Sequence, residues 1–171
     1  DVTITVTSPS GTITVTGDNA ESEGMTFDIA SETINYGKKY TLSLNGFTSD
    51  AYQVKVSLRD GILVDESGNT SQATEFILFS SLKETSTETE VDSGFLGKNI
   101  ERQKIEQVIF QDNLNGRNDT RWDVSQLQDQ SIWGWYETTA RGTYKVYIGS
   151  FIIMNGNVDS SYLFANLGRD S

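Results

Sequence analysis

Apolar and polar residues alternate in short runs from the start of the chain. Val2, Ile4 and Val6 interleave with Thr, and Ile13 and Val15 follow across the turn Ser8-Pro9-Ser10-Gly11. A period of two with β-branched residues on both faces specifies a pleated strand and not a helix. Met25, Phe27 and Ile29 repeat the pattern, followed by Tyr40, Leu42 and Leu44, and by Tyr52, Val54 and Val56. Ile62–Val64 and Phe76–Phe79 close the series, with Gly17, Gly37, Gly46, Gly61 and Gly68 in the gaps. Seven short strands at turn spacings of about 8–12 residues predict an antiparallel β-sandwich over residues 1–81.

Residues 82–94 break this rhythm. The stretch from Lys83 to Gly94 is polar, lacks an apolar face, and reads as a linker. Charge changes across it: residues 1–92 hold fifteen acids and five bases, whereas residues 93–171 hold nine and eight. All three Trp lie beyond the linker. Residues 95–171 read as a smaller β-rich domain. A short polar helix is expected around 99–106, leading into a strand at 105–110. Further strands are expected at Trp122–Leu127, Ile132–Glu137 and Tyr144–Ile148. The fold class is therefore all-β, in two domains.

Two resemblances follow from particular residues. The run Tyr52-Gln53-Val54-Lys55-Val56-Ser57-Leu58-Arg59-Asp60-Gly61-Ile62-Leu63-Val64-Asp65-Glu66-Ser67-Gly68-Asn69 resembles the late strands of bacterial immunoglobulin-like repeats. It implies an immunoglobulin-like sandwich for residues 1–81. Val108-Ile109-Phe110, Arg121-Trp122-Asp123-Val124-Ser125, Ser131-Ile132-Trp133-Gly134-Trp135, Tyr144-Lys145-Val146-Tyr147-Ile148-Gly149 and Asp159-Ser160-Ser161-Tyr162-Leu163-Phe164 occur in this order. That series resembles the segment preceding the leucine-rich repeats of BspA-like bacterial surface proteins. In that family the last element leads into the repeats; the present sequence ends at Ser171, before any repeat. The resemblance implies an extracellular setting, on a cell surface or a virion.

Composition removes several chemistries. The chain has no His and no Cys, so it holds no imidazole base, no Ser–His–Asp triad, no thiol nucleophile and no disulfide. A net charge of −11 argues against nucleic acid as a partner. No apolar run approaches the ~18 residues of a membrane span, so no membrane insertion is expected. The numbering opens at Asp1 without Met, as in a processed secreted protein or an excised piece.

Carboxylates are the acid–base groups in quantity. Asp60, Asp65 and Glu66, and separately Asp112-Asn113-Leu114-Asn115-Gly116-Arg117, have the oxygen-rich character of Ca²⁺ loops without a matching ligand spacing. A solvated turn explains both, and no cofactor is expected. Asp123, Asp129 and Glu137 lie near the Trp residues, which keeps a carboxylate-based glycoside hydrolase as an alternative. Gly94-Phe95-Leu96-Gly97-Lys98-Asn99 is too short for a phosphate loop. The sequons at Asn69 and Asn118 are read as chance.

The aromatic run Trp133-Gly134-Trp135-Tyr136 carries the sharpest candidate site. Alternation sends Trp133 and Trp135 to one strand face and Tyr136 to the other. Two indoles on an exposed face would stack on sugar rings, as in a carbohydrate-binding adhesin; the same pair in a core would hold the smaller domain together, and the core is favoured. Val2, Ile4 and Val6, on an alternating strand at a chain terminus, are candidates for pairing with another subunit. The expected function is non-enzymatic: structural display or adhesion, with other structural subunits, copies of itself or a host surface glycan as partners.

Overall fold

The computed structural model describes residues 2–21, 23–35, 37–46, 50–65, 67–84, 96, 100–157, 159–161, 163–165 and 167–168. Asp1, Glu66, Tyr162 and most of the expected linker lie outside the described residues, as do all but Leu96 of the run 94–99. The protein is all-β, with sheets of five, four and two strands and no α-helix among the described residues. It divides into two compact units, residues 1–78 and 79–171.

Unit 1 begins with β1 (Val2–Ser8) and β2 (Gly11–Val15), joined by the expected Pro-Ser-Gly turn. β3 (Thr26–Ile34) and β4 (Gly37–Asn45) form a separate two-stranded ribbon, followed by β5 (Gln53–Leu58) and β6 (Thr74–Ser81). The order within the larger sheet of this unit is β6-β5-β1-β2. Register aligns the apolar positions: Ile4 faces Val15 on one side and Val56 on the other, and Val6 faces Ile13 and Val54. Ile4, Val6, Val15, Val54 and Val56 are all buried, and Ala20, Met25 and Ala51 add to the core. The opposite face carries Thr3, Thr5, Thr7, Thr12 and Thr14, with Thr5 opposite Thr14 and Thr7 opposite Thr12.

Six strands form here among the described residues, where seven were expected. Ile62–Val64 makes no strand; Val64 has a single bridge to Thr70. The reason is the loop that follows. Asp65 spends its carboxylate on its own turn, Oδ1 accepting from the Ser67 and Asn69 amides at 2.9 and 2.8 Å and Oδ2 from the Asn69 side chain. An Asx turn of this kind competes with extended pairing. The Asn69 side chain, then its amide, holds the Asp65 carboxyl below its usual pKa.

β1 also differs from its expected part. It lies between β2 and β5, so both of its hydrogen-bonding edges are used inside unit 1. Ile4 and Val6 therefore have no free ladder to offer another chain and are core residues, while Val2 lies ahead of the β2 register and pairs with Leu58 of β5.

Unit 2 is built on the sheet β7-β10-β9-β8, from β7 (Ile105–Gln111), β8 (Trp122–Asp123), β9 (Trp133–Thr138) and β10 (Tyr144–Gly149). β9 and β10 form the expected hairpin, and β10 pairs in parallel with β7. Ahead of β7 the polar segment forms only a 3-10 turn at Arg102–Lys104, in place of the expected helix. Trp122–Leu127 shortens to a two-residue strand because the Asp123 carboxylate captures the Ser125 and Gln130 amides at 2.8 and 2.6 Å. One sheet face packs Leu82, Leu96, Ile100, Ile105, Val124, Ile132, Val146 and Ile148 into a core. Leu82 and Lys83, inside the expected linker, bond to unit 2: Leu82 bridges Ser125, and the Lys83 amide donates to the Val124 carbonyl at 2.8 Å. β11 (Ile153–Asn155) pairs in parallel with the last three residues of β6.

Gly46, just after β4, tests how tightly unit 1 is specified. Its φ is +90°, and a Cβ there would stand 2.5 Å from the Gly24 carbonyl oxygen. Gly46→Ala should destabilise unit 1 by about 1–3 kcal/mol through backbone strain alone. Urea unfolding would check it; a melt like the parent's would mean that this turn relaxes freely.

Candidate functional site

The second face of the unit 2 sheet places the Trp pair. Along β9, Ile132, Gly134 and Tyr136 point to the core face, which leaves Trp133, Trp135 and Glu137 on the other. Gly134 is required between the indoles: a Cβ there would meet the Trp122 ring at 2.5–2.9 Å. Tyr136, on the core face, packs edge-on against Tyr144 with ring centroids 5.2 Å apart.

The two indoles share a face and have different surroundings. Trp135 is fully buried. It stacks on Tyr147, its register partner in β10, with centroids 5.6 Å apart and planes within 10°. Gly149 supplies the floor, since a Cβ there would collide with the Trp135 ring and the Asn113 carbonyl. Gly116, in the loop 112–121, comes near the indole nitrogen: a Cβ there would stand 3.9 Å from Trp135 Nε1. A residue as buried as Trp135 presents no surface to a ligand, so a two-indole shelf is absent.

Trp133 is half-buried, at the rim of the same loop. Arg117 and Arg121 both lie against its ring, with guanidinium carbons 5.3 and 5.7 Å from the centroid. Arg121 also makes a long, exposed pair with Asp119 at 3.5 Å.

Short side-chain bonds hold the loop in place. The Asn113 side-chain oxygen accepts from the Asn115 amide at 2.9 Å, and Gln111 Nε2 donates to the Asn113 and Asn115 carbonyls at 3.1 Å. Asn118 Nδ2 and Thr120 Oγ1 both donate to the Tyr136 carbonyl, while the Tyr136 amide donates back to Thr120 Oγ1 at 3.0 Å. The loop 112–121 thus reads as a strap tied to Gln111 of β7 at one end and to Tyr136 of β9 at the other.

The carboxylates raised for other chemistry are occupied locally. Asp123 organises its own loop, Asp129 accepts from the Ser131 amide and hydroxyl, and Glu137 accepts from the Tyr147 hydroxyl at 3.1 Å. No group of three or more Asp or Glu side chains able to share a metal occurs among the described residues. A shallow cleft beside β7, lined by Ile105, Val108, Phe164 and Leu167, holds Glu106 but none of those three carboxylates.

Arg117 and Arg121 are the site residues that the sequence reading missed. The signal was there in part, since Arg121 precedes the β8 residue that pairs with Gly134. No protein-family model, curated protein or solved structure matches the chain. No helix among the described residues is long and apolar enough to cross a membrane.

Two measurements would probe this face. Trp135→Ala should cost about 3–5 kcal/mol, and Trp133→Ala markedly less, since only the former empties a fully enclosed site. Equal losses would remove the distinction between them. Tyr147 adds a pH dependence: partial burial, then the Glu137 carboxylate, raises its pKa above the usual value. The unfolded phenol ionises first, near pH 10. Stability is therefore fully present below that pH and declines as pH rises toward the folded value. Tyr147→Phe should flatten this alkaline decline in thermal melts; an unchanged slope would assign the decline to other groups.

Proposed function

We propose that this chain is a non-enzymatic structural or display module that works by assembly, in an extracellular setting on a bacterial surface or a phage particle. The observation that carries assembly is an exposed apolar tract in unit 2. Phe151 and Ile153 keep 77% and 67% of their surface exposed, more than any other large apolar side chain among the described residues. Ile153 sits in β11, the edge strand of its sheet. An exposed apolar edge is a costly surface to leave in water and a ready one for association. Other copies of the chain are the first partner to test.

The setting rests on the two sequence resemblances, to bacterial immunoglobulin-like repeats and to the segment preceding BspA-like repeats. The absence of His and Cys and the local use of the carboxylates favour a display role over catalysis. Adhesion to a glycan is the second reading, and it keeps Trp133 from the original pair.

The double substitution Phe151→Ser with Ile153→Thr tests assembly. Burying each apolar side chain contributes about 1.5–3 kcal/mol, so the pair should weaken self-association by at least about tenfold. Sedimentation velocity across a concentration series reads the change, and circular dichroism checks the fold. Parent and variant sedimenting alike as monomers would overturn self-assembly through this tract.

A further inference from the structure

We infer that Trp133, Arg117 and Arg121 form a binding site for carboxylated sugars, the uronic or sialic acid residues of an acidic glycan. The two guanidiniums lie over the Trp133 ring and offer forked donors that match a carboxylate, and the part of the half-buried indole left exposed offers apolar surface to a pyranose ring. Neutral sugars would use the indole alone. Acidic sugars would use all three side chains.

Two features separate this group from an ordinary surface contact. An exposed cation–π contact contributes roughly 0.5–1 kcal/mol and needs one cation. Here two like charges converge on one ring, in a chain where acids outnumber bases by 24 to 13. Arg121 has Asp119 at 3.5 Å, and that carboxylate is fully exposed and easily displaced. Asp123, the register partner of Trp133, is a nearby negative charge, but both its oxygens already accept amide hydrogens from its own loop.

The second feature is preorganisation. Arg117 and Arg121 stand on a strap anchored to β9 through Asn118, Thr120 and Tyr136, so little of the loop must be ordered on binding. The net charge of −11 does not prevent an anion from docking. At physiological salt, screening acts over about 8 Å, so the nearest groups dominate at contact. This site is separate from the apolar tract at Phe151 and Ile153, so either proposal can fail without the other.

The experiment uses the full chain with polygalacturonate, polysialate, and fully methyl-esterified polygalacturonate as the neutral control, read by affinity electrophoresis. Binding to at least one of the two carboxylated polymers, weakened by salt and absent with the ester, is the expected result. Uronate and sialate arms show which acid is preferred. Arg117→Gln and Arg121→Gln should each weaken binding about tenfold or more, with thermal melts like the parent's. Loss of binding on Trp133→Phe, with the melt retained, would add the indole. Failure to bind either acid polymer, equal binding to the ester, or a double arginine variant that binds like the parent would overturn the site. Binding to sulfated dextran or an acidic peptide while both carboxylated polymers fail would overturn it as well.

Discussion

Burial of Trp135 is the constraint on which unit 2 depends. A four-stranded sheet without α-helices has two faces to cover, and one apolar core can cover only one of them. The indole, flat against Tyr147 and floored by Gly149, closes the second face near Gly116 of the strap 112–121. An aromatic side chain of this size removes roughly 150–250 Å² from water, more than any aliphatic residue nearby could. Glycine at 149 and 134 follows from the same requirement: one makes room for Trp135, the other for Trp122.

Asn, Asp, Ser and Thr do the remaining work of shaping loops. The Asp65, Asn113, Asn118 and Asp123 side chains each accept from backbone amides two or more residues onward. These turns substitute for the disulfides that a Cys-free chain cannot form. In the two oxygen-rich runs, Asp65 and Asn113 use side-chain oxygens to accept from amides of their own turns. A polar loop held this way can display exposed arginines at a fixed place without an apolar anchor under each one.

The two units use different means to bury their cores. In unit 1, register does it: β1 lies between two partners whose valines and isoleucines fall opposite its own. In unit 2, a mixed sheet gathers residues from far apart in sequence, from Leu82 to Ile148, around Val124 and Ile132. Pairing β10 in parallel with β7 brings chain segments together that no hairpin could join.

Sequence alone determined the β character, because alternation of period two over β1, β2, β5 and β10 leaves no helical face. It also determined that Trp133 and Trp135 share a strand face, since side chains alternate by geometry. It overestimated Ile62–Val64 and Trp122–Leu127, where apolar runs looked extended but an adjacent Asp folds the backbone into a turn. Tertiary structure decided the rest. Whether β1 has a free edge depends on β5 arriving about fifty residues later, and no local pattern encodes that pairing. Whether an indole is core or rim depends on what packs on it: Tyr147 and the Gly149 backbone enclose Trp135, whereas the half-buried Trp133 has two exposed arginines against its ring. The meeting of Arg117 and Arg121 over Trp133 has the same origin: cross-strand register and a loop return, which fix distances between residues that the sequence keeps apart.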